Sequence, residues 1–158
     1  MTTISFMTAN YVAREVGYAM HGWGHGDRAT NEAFAPLDTY GEKLDELLGE
    51  IAALGFGAVD VWGAHLSPDW ATDEHVDIAV ETLRRHGLTV TSYATWLGAG
   101  NVERSCELAL ALGTSLIGAG FSGDARQLAP VREKYGVRLG VENHPEKTPA
   151  EVLAKIER

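Results

Sequence analysis

Two residues near the end of this 158-residue sequence are spaced for joint chemistry. They close the stretch Gly136-Val137-Arg138-Leu139-Gly140-Val141-Glu142-Asn143-His144-Pro145-Glu146, whose first part reads as a short buried strand over Val137–Glu142. Side chains at i and i+2 share one face of a strand. Glu142 and His144 therefore point the same way if the strand persists that far. In parallel α/β folds, ligands bind at the C-terminal strand ends. A carboxylate and an imidazole at that rim suit metal binding or proton transfer. The spacing alone is equally consistent with a solvated loop carrying two polar residues.

Other chemistry-bearing residues are spread along the chain. Asp60 alternates with Val59 and Val61, so it faces away from them and needs a cation or a backbone donor, because an unpaired buried charge is costly. Trp62, Tyr93 and Trp96 fall at strand ends, where aromatic rings either wall a site or join the core. The run His21-Gly22-Trp23-Gly24-His25-Gly26 reads as a flexible loop able to act as a lid. His75 and His86 are expected on helices facing solvent, and Cys106 as a small packing residue inside a helix.

The elements that must position these residues repeat as helix, glycine, short apolar strand and polar loop. Gly55, Gly87, Gly113 and Gly136 each end a helical pattern, as a left-handed C-terminal glycine does. Strands are expected at Thr3–Thr8, Ala58–Trp62, Leu88–Tyr93, Ser115–Ala119 and Val137–Glu142. A long loop runs from the first strand to about Asp38. Helices follow at Tyr40–Leu54, with Leu44, Leu47, Leu48, Ile51 and Leu54 as an apolar stripe, and from Thr72 to His86, with Val76, Val80 and Leu83. A third helix, capped by Asn101, runs to Leu112, and a fourth lies within Asp124–Tyr135, starting near Leu128 so that Pro130 sits in its first turn. Thr148-Pro149-Ala150-Glu151 is a capping box opening a last helix. Alternating βα units give a parallel sheet. No G-x-G-x-x-G or P-loop follows the first strand, which leaves a nucleotide-binding doubly wound sheet with little support.

Bulk properties narrow the class. Hydrophobic residues make up 45% and charged residues 22%, ordinary for a globular domain, and the formal net charge of -9 opposes binding to nucleic acid or anionic lipid. The single cysteine fits a reducing compartment. Met1–Met7 lacks a signal-peptide pattern, and no apolar run approaches 18 residues, so a cytoplasmic location without membrane contact is expected.

Four segments carry a family resemblance. They are Ala53-Leu54-Gly55-Phe56-Gly57-Ala58-Val59-Asp60-Val61-Trp62, His65 just after it, His86-Gly87-Leu88-Thr89-Val90, and Tyr135-Gly136-Val137-Arg138-Leu139-Gly140-Val141-Glu142-Asn143-His144. The last is the most specific. Together they resemble the xylose-isomerase-like superfamily of sugar phosphate isomerases and epimerases, which also holds endonuclease IV, inosose dehydratases, 3-keto-glycoside lyases and C-glycoside deglycosidases. The resemblance implies a (β/α)8 TIM barrel, of which this chain supplies about the first five βα units as a single domain. It implies a metal-dependent isomerase or epimerase acting on a small sugar or sugar-like substrate through enediolate-type proton transfer, with a lyase or dehydratase on the same scaffold as the alternative.

In that family four metal ligands, a Glu, an Asp, a His and a second Glu, come from the later strand ends. Glu142 matches the first as ligand to a divalent ion (Mn²⁺, Mg²⁺, Co²⁺ or Zn²⁺). His144 is the acid/base candidate, His65 a substrate contact, and Trp62, Tyr93 and Trp96 the wall under a sugar ring. The other three ligands are expected on strands six to eight of a chain of roughly 250 to 280 residues. Ending at Arg158 would leave the first and fifth strands as exposed edges, inviting self-association, with weak metal binding and no turnover. A homo-oligomer is compatible with all of this, as is a non-catalytic half-barrel.

Overall fold

A computed structural model describes residues 3–121, 128–142, 144 and 146–156. Strand β1 (Phe6–Met7) is followed by two short 3₁₀ turns and helices α1 (Trp23–Phe34) and α2 (Leu37–Ala53). Then come β2 (Ala58–Trp62), α3 (Asp73–Arg85), β3 (Thr89–Leu97), α4 (Val102–Ala111), β4 (Leu116–Phe121), α5 (Ala129–Tyr135), β5 (Arg138–Val141) and α6 (Pro149–Ile156). The strands form one sheet in the order β1-β2-β3-β4-β5, every neighbouring pair parallel. Each strand therefore lies beside its sequence neighbour, with no switch in direction across the sheet.

The core explains this layering. Alternation puts Val59 and Val61 of β2, Tyr93 and Leu97 of β3, Ile117, Ala119 and Phe121 of β4, and Leu139 and Val141 of β5 on one face. These residues share a single cluster with Tyr40, Leu44, Leu47, Leu48 and Ile51 of α2, Leu83 of α3, and Cys106 and Leu108 of α4. The opposite face carries Asp60, Trp62, Ser92, Ala94, Trp96, Gly118 and Gly120, and a small second cluster of Val12, Trp62 and Ala64 at its rim. Among the described residues no helix is long and apolar enough to cross a membrane.

Several expectations hold. Gly55, Gly87, Gly113 and Gly136 all take φ between +65° and +89°, and Cys106 is buried packing. Others need correction. The long first loop contains α1, whose buried positions Gly26, Thr30 and Phe34 include only one large apolar residue, so no hydrophobic stripe marks it. His25 lies within this helix rather than on a flexible lid. Leu54 caps α2 and is exposed, and Val80 is exposed because α3 buries His75, Val76, Ala79, Thr82 and Leu83 instead. Strand β3 runs four residues past Tyr93. Asn101 does sit at the N-cap of α4, but its side chain turns backward to accept from Gly98 N–H at 2.9 Å. Thr148 accepts from Glu151 N–H, while the Glu151 carboxylate reaches Lys147 N–H rather than that of Thr148. Asp124, Asn143 and Pro145 lie outside the described residues.

His75 is the clearest departure from its expected place. It is buried at the third position of α3, where its Nδ1 accepts from Thr72 N–H at 3.2 Å and its Nε2 lies 3.2 Å from the Ala35 carbonyl. An imidazole thus does the work of the glutamate in a capping box. His86 is half-buried, with Nε2 2.8 Å from Asp45 Oδ1.

The packing of α1 on the turn before it sets a first prediction. A Cβ at Gly26 would run into the Val12 carbonyl oxygen, with Met20 Sδ at 2.8 Å and Val12 Cγ2 at 2.9 Å. Backbone cannot step aside as a flexible side chain can. Gly26→Ala is expected to cost about 1–3 kcal/mol by overpacking, despite the better helix propensity of alanine, read as a lowered urea midpoint.

Candidate functional site

The sheet face opposite the main core, helix-free among the described residues except for Trp23 at the start of α1, gathers most of the candidate residues at its C-terminal end. Trp62 pairs in register with Ala94, Ala94 with Gly118, and Trp96 with Gly120, so all project from this face. Glu142 follows β5, its N–H donating to the Ala119 carbonyl at 2.9 Å. Two glycines on β4 make room for the two larger groups. The Glu142 carboxylate lies over Gly118, where an added Cβ would stand 2.9 Å from Oε1. The Trp96 ring lies over Gly120, where an added Cβ would stand 2.5 Å from Cζ3. A furrow two glycines long thus seats a carboxylate beside an indole. Trp96 remains half-exposed.

His144 joins this pair. Its Nε2 is 3.7 Å from Glu142 Oε2 and its side chain is 70% exposed, against 38% for Glu142. The two side chains are close, but not as neighbours on one strand face, because β5 ends at Val141. The His144 N–H donates to the Glu142 carbonyl at 2.9 Å, a tight turn that swings the imidazole back over the carboxylate.

His65 occupies the opposite side of the rim, just after β2. It is buried beside Thr8, with Nδ1 3.0 Å from Thr8 Oγ1 and ring contacts to Phe34 and Trp62. Burial, with the Arg14 guanidinium adding to it, pushes its pKa down to about 3, so the ring is neutral at physiological pH. Trp62 is covered by Trp23, which meets it edge-on at 5.6 Å and is itself 56% exposed.

Tyr93 is not part of this face. It is fully buried on the helix side, where its hydroxyl donates to the Leu66 carbonyl at 2.6 Å and burial holds its pKa far above the usual phenol range. Strand parity decides this, because Tyr93 and Trp96 are an odd number of residues apart and must face opposite ways. Asp60 does lie on the helix-free face. It is paired, but with three hydroxyls rather than a cation or a backbone donor: Ser5, Thr91 and Ser92, the last at 2.8 Å. Burial raises its pKa, yet these donors outweigh that and hold the carboxyl below its ordinary value. Thr91 reaches it because the β2–β3 register slips by one residue between Val59 and Asp60.

The Glu142 carboxylate is a hard oxygen donor that fits as one ligand of a divalent cation, and the His144 imidazole beside it is placed for proton transfer. Among the described residues no three His, Cys, Asp or Glu side chains converge as a cation site. A cavity of about 560 Å³ lies behind the sheet, between Leu97, Phe121 and Val141 and helices α5 and α6. Its lining is mainly apolar, Arg132 of α5 being the charged residue among the lining, and it holds no acid–base pair. Thr8, Gly118 and Gly120 were not singled out from the sequence, and Trp23 only as part of a lid-like run; the small-residue alternation Gly118-Ala119-Gly120 was the available signal for the two glycines.

No protein-family model matches the chain, and a search of curated proteins finds no sequence match.

The neutral, buried His65 carries a pH prediction. The unfolded chain protonates this imidazole near pH 6.5, whereas the folded state resists until about pH 3. The unfolded state thus binds the extra proton, and stability falls as pH drops through that window. Between pH 7 and 5 the loss from this group is expected to reach about 2 kcal/mol. Urea titrations at both pH values should show a smaller drop for His65→Gln than for the wild type.

Proposed function

We propose that these five βα units belong to a (β/α)8 barrel and that the protein is a metal-dependent sugar isomerase or epimerase. Sequential strand order with the helices gathered on one face supports the barrel, because doubly wound sheets reverse their order and are covered on both faces. The observation that carries the function is the Glu142 carboxylate held over Gly118 beside the Trp96 ring, with His144 at 3.7 Å, all at the C-terminal strand ends.

Glu142, with His144 close by, would hold a divalent ion such as Mn²⁺, Mg²⁺, Co²⁺ or Zn²⁺, which supplies Lewis acidity toward a sugar carbonyl. Trp96, half-exposed, offers apolar surface to the C–H face of a sugar ring, whereas Trp62 lies buried beneath Trp23 and supports the rim from behind. His144 takes the proton from the carbon next to the carbonyl. Its return to the neighbouring carbon, with a hydroxyl proton passing between the two oxygens, completes isomerisation, and delivery of a different proton to the opposite face by a second acid or by water completes epimerisation.

The test is solvent-deuterium exchange. The full-length gene product is incubated in D₂O with each of the four ions and a panel of ketoses and aldoses, and the products are read by NMR. Deuterium at the carbon next to the carbonyl is the expected outcome. Release of a leaving group with a new C=C bond would make the protein a lyase or dehydratase using the same groups. No exchange and no elimination with any ion would overturn the enzyme reading.

A further inference from the structure

His65 has only one available tautomer, and the residue that selects it is Thr8. The Thr8 hydroxyl oxygen accepts from the Trp62 backbone N–H at 2.9 Å and lies 3.0 Å from His65 Nδ1. Thr8 is 1% exposed, and these are the two polar partners of its side chain among the described residues. An amide N–H can only donate, so it occupies an oxygen lone pair. The hydroxyl hydrogen then has one place to go, the Nδ1 lone pair, because leaving a buried hydroxyl hydrogen unused costs about 1–3 kcal/mol. An Nδ1 that accepts leaves the ring's proton on Nε2. That nitrogen makes no hydrogen bond among the described residues and, unlike the Tyr40 hydroxyl, is not a sealed polar atom without a partner.

We infer that Thr8 is a positioning residue that fixes His65 as a neutral Nε2–H donor at the rim of the helix-free face, directed at an oxygen of an uncharged ligand. The ligand part rests on the sugar reading above; the tautomer part does not. A neutral imidazole donor suits a hydroxyl or carbonyl oxygen, whereas an anionic group would draw a cation. Arg14, the cation that acts on His65, is already held by Glu46 at 2.7 Å and Glu50 at 2.9 Å. Backbone anchoring adds rigidity, since His65 N–H donates to the Trp62 carbonyl at 2.9 Å while Trp62 N–H holds Thr8. The ring is thereby fixed at both its main chain and its Nδ1. Its depressed pKa keeps the donor in place across the whole physiological pH range.

The test is a long-range ¹H–¹⁵N spectrum of the histidine rings of the ligand-free protein, with His65 assigned by comparison with His65→Gln. The wild type should show a protonated Nε2 and an unprotonated Nδ1 for this residue. Thr8→Val, which keeps the shape and removes the hydroxyl, should give a mixture of the two tautomers, and Thr8→Ser should restore the Nε2–H form. A protonated Nδ1 in the wild type overturns the inference, as does a Thr8→Val spectrum identical to it. Should Thr8→Val not fold, the wild-type and Thr8→Ser spectra decide alone. Adding D-fructose to saturation should then shift the Nε2–H proton of His65; an Nε2–H that ignores every sugar on which the enzyme acts overturns the ligand assignment. Because the tautomer is read without substrate, failure of the sugar reading leaves a different signature, an intact Nε2–H form with no turnover at all.

Discussion

Replacing Glu142 with glutamine is expected to lower divalent-ion affinity by at least about 10²-fold and to remove turnover, with the fold unchanged. Loss of groups that merely orient a metal ligand already costs 10–100-fold, and here the ligand itself would change. Glutamine keeps the volume seated over Gly118 but not the charge, so the furrow stays filled and thermal unfolding should move little. Mn²⁺ titration followed by paramagnetic relaxation checks the affinity, and the deuterium-exchange assay checks the chemistry. Affinity and turnover equal to wild type would take Glu142 out of the site.

His144→Ala is expected to slow proton transfer by about 10²–10⁴-fold, the usual scale for a positioned general acid or base, while substrate affinity changes far less. The side chain is 70% exposed and makes its polar contact with Glu142 Oε2, so its removal opens no core cavity. A drop in kcat with KM nearly constant supports the role. A raised KM at constant kcat would reduce His144 to a contact with a substrate hydroxyl.

The sheet was legible in the sequence because its punctuation is strong. Four glycines in left-handed conformation mark four helix ends, and β-branched and apolar runs follow each of them. Helix α1 was not legible, since it opens with Gly24 and Gly26 and buries Gly26 and Thr30 where a stripe of leucines would be expected. His75 was misplaced because helical periodicity cannot tell a solvated histidine from one recruited to a cap; the deciding partners, Thr72 and the Ala35 carbonyl, are respectively three residues away and forty. In the site, Glu142 and His144 do come together as their spacing suggested, but through a tight turn after β5 rather than along a continuing strand. Tyr93 was assigned to the site by its place at the expected end of the third strand; parity with Trp96 puts it on the other face once that strand runs on to Leu97. The glycine furrow under Glu142 and Trp96 depends on cross-strand register, which no single segment contains.

Strand β1 pairs with β2 through only Phe6 and Met7, yet it is flanked by two side-chain hooks: Ser5 on Asp60, and Thr8 on both Trp62 and His65. With so short a ladder, the amino-terminal segment belongs to the low-free-energy end of the molecule's opening events. When it peels away, the carboxylate of Asp60 loses a donor and His65 loses the hydroxyl that sets its proton, in one concerted step. The integrity of the site's far wall is thus tied to the fraying of the first strand, and amide exchange at Trp62 would report both at once.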